Sequence, residues 1–196
     1  MTRLALIPGH GWRARGGSGL VWDPGAVGVC GQESGIVREL AGAIVAAAGD
    51  RARSFDSAPD GPGTYTDRRA RAHAHIAAGP SRQGVVVHLH CNGSKSPSAA
   101  YSMVMHDPRS RAGAIAAGVI RQAMADAGVP DVRVVAADRA AGWAHAANLI
   151  EPTWDAPSGV CAVLIELGFV SSPACAPLYT PEALAKVAKA IAAASL

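Results

Sequence analysis

The stretch Gly84-Val85-Val86-Val87-His88-Leu89-His90 decides the fold class. It is a nearly continuous apolar run of strand length, without the polar alternation of a half-exposed strand, and suits a central strand buried on both faces. Working outward, shorter runs predict strands over Arg3–Ile7, Ala100–His106, Val132–Ala136 and Val160–Glu166, and the more polar Arg51–Phe55 could be a further strand. Helical spacing fills the gaps: Glu33 to Ala48, ending at Gly49; Thr66 to Ala78; Ser110 to Ala127, stopped by Gly128; and Pro181 to Ala194, with proline in its first turn. Alternating strands and helices imply an α/β fold, a single domain over residues 1–196 with a twisted, mainly parallel sheet flanked by helices on both faces. Pro8 to Gly31 is rich in glycine and proline and reads as a long irregular loop, which in a compact domain usually serves function. Asp138 to Ser158 gives no single reading, and whether it covers a site as a lid is open.

Composition narrows the classes. The 196 residues suffice to bury roughly 70% of the unfolded surface. With 49% hydrophobic and 17% charged residues, the composition argues against disorder. Alanine dominates the apolar content, so thin helices are expected to pack closely on the sheet. The net charge of +3 is scattered; its one cluster, Arg68-Arg69-Ala70-Arg71, reads as a solvated helix face and not a nucleic-acid patch. Cys30, Cys91, Cys161 and Cys175 show no CxxC spacing and are expected as reduced thiols. The apolar run Leu4–Ile7 is too short for a signal peptide, and nothing approaches a membrane span, so synthesis as a soluble cytoplasmic product is expected.

Chemistry gathers at the ends of the predicted strands. His10 follows the first strand, His90 ends the central one, Glu166 ends the last, and Glu33 opens the helix after the long loop. Ligands of open α/β sheets bind outside the carboxyl ends of the strands, so all four can converge on one rim. Two imidazoles and a carboxylate suit a catalytic zinc ion that keeps a position open for water, and a further glutamate can act on that water as a base. Each residue also has a plainer role. A lone histidine is commonly structural, and Glu33 could simply favour a helix N-terminus. Glu166 closes an apolar strand, where an unpaired carboxylate is costly, so it should have a charge partner or a protonation role. His88 shares a strand face with His90, and either could reach a metal; His90 lies nearer the strand's carboxyl end. Cys91 points the other way. His73, His75, His106 and His145 read as surface or supporting residues, with His106 or His145 able to assist at the rim.

The order of these motifs resembles the zinc-dependent N-acetylmuramoyl-L-alanine amidase family, which is shared by bacterial cell-separation amidases and many phage endolysins. Pro8-Gly9-His10-Gly11 with Asp23-Pro24-Gly25-Ala26-Val27-Gly28 is similar to the family's opening loop. Gly31-Gln32-Glu33 resembles the second-ligand motif, His90-Cys91-Asn92 the His-x-Asn motif, and Glu166-Leu167-Gly168-Phe169 the catalytic-glutamate motif. Thr180-Pro181-Glu182 also matches, and the likeness spans nearly the whole chain. The resemblance implies that His10, Glu33 and His90 hold Zn2+ and that Glu166 is general base and then acid. The implied substrate is peptidoglycan, cut between N-acetylmuramic acid and the L-alanine of the stem peptide. Ile7 stands where many relatives have aspartate, so one partner for the site is missing; Cys91 stands where alanine is common. No separate cell-wall-binding domain is expected.

Two other readings compete. Gly9-His10-Gly11-Trp12-Arg13-Ala14 formally fits a dinucleotide fingerprint, but Arg15-Gly16-Gly17-Ser18-Gly19 cannot open the helix that fingerprint requires. A non-catalytic wall-binding or virion structural module that retains the amidase fold is the stronger rival, and Glu166 argues against it because binding alone needs no base. Trp12, Trp22, Trp143 and Trp154 could stack on sugars, although packing is the commoner role. The absent export signal fits a phage-type lysin that acts on the wall after release or delivery. Oligomeric state is not legible.

Overall fold

The computed structural model describes residues 2–14, 20–56, 65–140, 142–150 and 159–196. The chain opens with β1 (Arg3–Pro8), then the hairpins β2 (Gly11–Ala14) with β3 (Leu20–Asp23) and β4 (Val27–Gly28) with β5 (Gly31–Gln32). Next come α1 (Glu33–Ala48), β6 (Ala52–Ser54), α2 (Tyr65–Ala77), β7 (Gly84–Asn92), β8 (Ser102–His106) and α3 (Arg111–Asp126). β9 (Val132–Ala136), α4 (Ala144–Ile150), β10 (Val160–Phe169) and α5 (Pro181–Ala193) complete the order.

Six strands form the main sheet in the order β6-β1-β7-β10-β8-β9. β7 lies between β1 and β10 and is parallel to both, and it is buried from Gly84 to Cys91, as its continuous apolar run requires. β8 runs antiparallel to β10 and parallel to β9, so two of the six strands are reversed against the other four. Even residues of β7 and β10, including Val86, Ala162 and Leu164, meet Ala72, Ile76, Ala146 and Ile150 of α2 and α4. Odd residues, including Val85, Val87, Val163 and Ile165, meet Ile36, Leu40, Ile44, Ile120, Leu184 and Ile191 of α1, α3 and α5. Helices therefore cover both faces. Local chemistry starts two of them: Ser110 accepts from the Gly113 amide at 3.0 Å, and Thr180 from the Ala183 amide at 3.2 Å ahead of Pro181.

Several expectations change. Pro8 to Gly31 is not wholly irregular, because two short hairpins occupy much of it. Their strands are two to four residues long, too short to carry a readable period. The ambiguous segment contains α4, while 151–158, with Trp154, lies outside the described residues. No described helix is long and apolar enough to cross a membrane.

Candidate metal centre

β1 and β7 deliver the first two imidazoles side by side. The Gly9 amide donates to Leu89 O at 2.8 Å, which extends the β1–β7 pairing past Pro8 and places His10 beside His90. His10 adopts a left-handed backbone (φ 62°), a conformation that costs a non-glycine residue energy and clusters at functional sites. The buried Arg68 of α2 holds this turn, its Nη1 donating to Pro8 O at 2.9 Å. Arg68 is thus not part of a solvated face, whereas Arg71 is exposed.

Glu33 is set by the hairpin that precedes it. Its amide donates to Ala26 O at 2.9 Å, and its Oε2 accepts from the Ala26 amide at 2.8 Å. Its Oε1 accepts from the Cys91 amide at 3.1 Å. The same two oxygens face the imidazoles, Oε1 at 2.9 Å from His90 Nδ1 and Oε2 at 3.2 Å from His10 Nε2. Burial alone would push the Glu33 carboxyl up. The hydrogen bonds from His10 and His90, with the Ala26 amide, hold it far below the usual carboxylate range instead. Burial also pulls His10 down, but Glu33 and Asp23 outweigh it and leave His10 raised; for His90 burial wins and the imidazole is lowered.

Asp23 completes the arrangement, its Oδ2 lying 3.2 Å from His10 Nδ1 while its Oδ1 accepts from the Gly25 amide at 3.1 Å. A carboxylate on one nitrogen fixes the ring and its tautomer and leaves the other nitrogen for a ligand. The partner that seemed lost at Ile7 is therefore supplied by Asp23, while Ile7 is core. The sequence signal for this role is Asp23-Pro24-Gly25, a motif of the opening loop.

One ligand atom each from His10, Glu33 and His90 lies within 4.8 Å of the others, a group that could hold a metal ion. Its surroundings fit one. A Cβ at Gly9 would stand 2.4 Å from His90 Cε1, and one at Gly25 would stand 2.6 Å from both Glu33 Oε2 and His10 Cδ2. The two glycines form a cradle that no side chain can enter. The donor set of two nitrogens and a carboxylate is that of an open zinc site.

Glu166 is the register partner of His90 on the adjacent strand, so both side chains leave the same face of the sheet. Its Oε2 is shut off from solvent and has no hydrogen-bond partner among the described residues. Burial, aided by the negative charge of Glu33, pushes its carboxyl up to about 8.

The remaining histidines separate by position. His88 is fully buried beneath His90, with the Tyr65 hydroxyl 2.5 Å from its Nδ1, and does not join the group. His106 cannot assist at the rim, because β8 is antiparallel to β10 and its C-terminal end points away from Glu166. His73 and His75 are half-buried, and Cys91 is packed in the core below Glu33. His145 of α4 stands edge-on to the His90 ring, with centroids 6.3 Å apart.

No protein-family model matches the sequence, and no curated protein matches it. Solved structures do. The catalytic domain of CwlV, an N-acetylmuramoyl-L-alanine amidase from Bacillus (Paenibacillus) polymyxa var. colistinus, is 18% identical with a TM-score of 0.67, covering 98% of this chain and 94% of that one. The N-acetylmuramyl-L-alanine amidase Ami1 from Mycobacterium smegmatis is 20% identical with a TM-score of 0.65, over 97% of this chain and 93% of that one. This chain has the amidase fold. The catalytic domain of the CD27L endolysin targeting Clostridia difficile is likewise similar, at 16% identity and a TM-score of 0.62, over 96% of this chain and 94% of that one. Within the amidase fold, the His10, Glu33 and His90 group sits at the carboxyl ends of β1 and β7, with Glu166 on β10 beside it.

Proposed function

We propose that the protein is a zinc-dependent N-acetylmuramoyl-L-alanine amidase that hydrolyses the amide between N-acetylmuramic acid and the first L-alanine of the peptidoglycan stem. The observation that carries this reading is the pairing of a compact His-Glu-His group with the carboxylate of Glu166, whose enclosed Oε2 has no hydrogen-bond partner among the described residues. His10, Glu33 and His90 would hold the metal, with Asp23 orienting His10. When bound, zinc supplies a Lewis acid that polarises the amide carbonyl and lowers the pKa of water toward about 7. Glu166 takes the proton of the attacking water and passes it to the departing amine nitrogen. A structural carboxylate would normally hold an arginine, a lysine or backbone amides; Glu166 Oε2 meets none among the described residues, which suits a group that exchanges a proton. The likeness to an endolysin catalytic domain supports the narrower reading of a phage-type lysin that reaches the wall after release or delivery.

The test is mass spectrometry of purified peptidoglycan digested by the protein with and without a chelator. Free stem peptides beginning with L-alanine are expected, lost on chelation and restored by zinc. Intact muropeptides from folded, zinc-loaded protein would overturn the amidase reading and favour a binding module.

The ligand assignment has its own test. His90→Ala should lower zinc occupancy strongly, whereas His88→Ala should leave zinc bound and act on stability, since His88 packs against Tyr65 instead of the group. Zinc analysis that gives the reverse order would move the ligand two residues upstream.

A further inference from the structure

Among the described residues, His145 is the one titratable side chain in ring contact with the candidate metal group that has no role in the proposed hydrolysis. The His90 ring is flanked on two sides. His10 stands edge-on to it at 5.2 Å and 77°, from the β1 side; His145 stands edge-on at 6.3 Å and 87°, from α4. His10 belongs to the group of atoms within 4.8 Å, and His145 does not. A ligand role for His145 is thus not what this geometry offers. It is exposed, and no described residue takes its ring nitrogens in a hydrogen bond, so they are available to a molecule placed over the group.

The backbone under His145 is well fixed for so short a helix. Ala146, Ala147, Leu149 and Ile150 are buried on β8 and β10, and the Ala147 amide donates to Trp143 O at 2.8 Å. The Tyr65 hydroxyl, which also meets buried His88, lies 3.3 Å from Leu149 O and links α4 to α2. Glu166 and His145 both lie on the β10 side of His90, over the face covered by α2 and α4. A reacting amide carbonyl above the group would meet both Glu166 and the His145 imidazole from this β10 side.

We propose that His145 touches the substrate and donates an imidazole N–H hydrogen bond to the carbonyl oxygen of the scissile amide, which strengthens as that oxygen becomes an oxyanion. This rests on the amidase reading. In the step concerned, the water oxygen bonds to the amide carbon, the C=O π pair moves onto oxygen, and the water proton passes to Glu166. The C–N bond then breaks, the carbonyl reforms, and Glu166 returns the proton to the amine nitrogen. His145 transfers no proton; it lowers the energy of the charged oxygen. Removal of one such donor typically costs on the order of 10²–10³ in kcat.

The experiment compares zinc-loaded wild type, His145→Ala and His145→Gln on a soluble muropeptide. It adds zinc content and calorimetric binding of the phosphinate analogue of N-acetylmuramoyl-L-alanine, which mimics the tetrahedral state. His145→Ala should keep full zinc, lose about 10²–10³-fold in kcat with KM within about threefold, and bind the phosphinate weaker by a similar factor. His145→Gln, which keeps an N–H donor, should recover part of both losses. Unchanged kcat and phosphinate affinity in His145→Ala would overturn the proposal, as would lost zinc or a rise in KM alone. If the zinc-loaded wild type neither cleaves the muropeptide nor binds the phosphinate, the amidase reading itself fails.

Discussion

Glu166→Gln is expected to leave a folded protein that retains its zinc and has lost at least about 10²–10⁴-fold in hydrolysis, the range a positioned general base contributes. The substitution is nearly isosteric and lies on a buried strand, so little repacking follows. Glutamine keeps the acceptor oxygen but cannot take the proton from water or return it to the amine. Zinc should stay because His10, Glu33 and His90 form their group without Glu166. A variant that turns over within tenfold of wild type would remove the base role from this residue and leave its unpartnered oxygen without an explanation.

The same variant makes a second, independent statement in chelated protein. The Glu166 carboxyl is pushed up to about 8 by burial and by Glu33. Because its folded value is raised, its contribution to stability is fully present below the ordinary carboxylate range and is lost as pH rises through about 8. The Tm of metal-free wild type should therefore fall relative to Glu166→Gln as pH is raised from 5 toward 8. Parallel Tm profiles would show that the carboxylate is better solvated than its enclosed Oε2 indicates.

Much of this architecture is legible in the chain because burial on both faces forces a distinctive composition. The run from Gly84 to His90 reads as a central strand, and β7 is one. Glu33 reads as a helix start, and α1 begins there. His10, His90 and Glu166 read as rim residues because they follow apolar strands, and the sheet brings them to one edge. Strand direction is a different matter. The Ser102–His106 run fits either direction equally, so only pairing with β10 shows that His106 leaves the rim. Asp23 is the more instructive miss. It lies thirteen residues from His10 in a stretch whose glycines conceal any period, and only the β2–β3 hairpin, with Gly11 opposite Asp23, folds it back onto the histidine. Arg68 is hidden for a different reason, since an arginine cluster on a helix is usually solvated and sequence does not reveal that one member turns inward to Pro8 O.

Gly25→Ala is expected to damage the candidate metal centre although it adds only a methyl group outside the ligands. Two costs coincide there. The backbone is left-handed (φ 69°), which costs a residue with a Cβ about 1–2 kcal/mol. The new methyl would also sit 2.6 Å from both Glu33 Oε2 and His10 Cδ2. Neither can withdraw freely, because Glu33 is held by the Ala26 and Cys91 amides and His10 by Asp23. Relief must come from rotating a ligand out of the group or from moving the β3–β4 turn, and forced overpacking of this kind adds roughly 1–3 kcal/mol. Zinc affinity should fall by at least about 10–100-fold, the range seen when support around metal ligands is disturbed. Gly31→Ala separates the two causes, since Gly31 also has a positive φ (118°) but nothing lies within 4 Å of its would-be Cβ. It should lose stability while keeping zinc affinity near wild type. Equal zinc affinity in the two variants, measured by competition with a chromophoric chelator, would mean that the cradle is not what shapes the group. Weakened binding confined to Gly25→Ala would tie the glycine to the metal through Glu33 and His10.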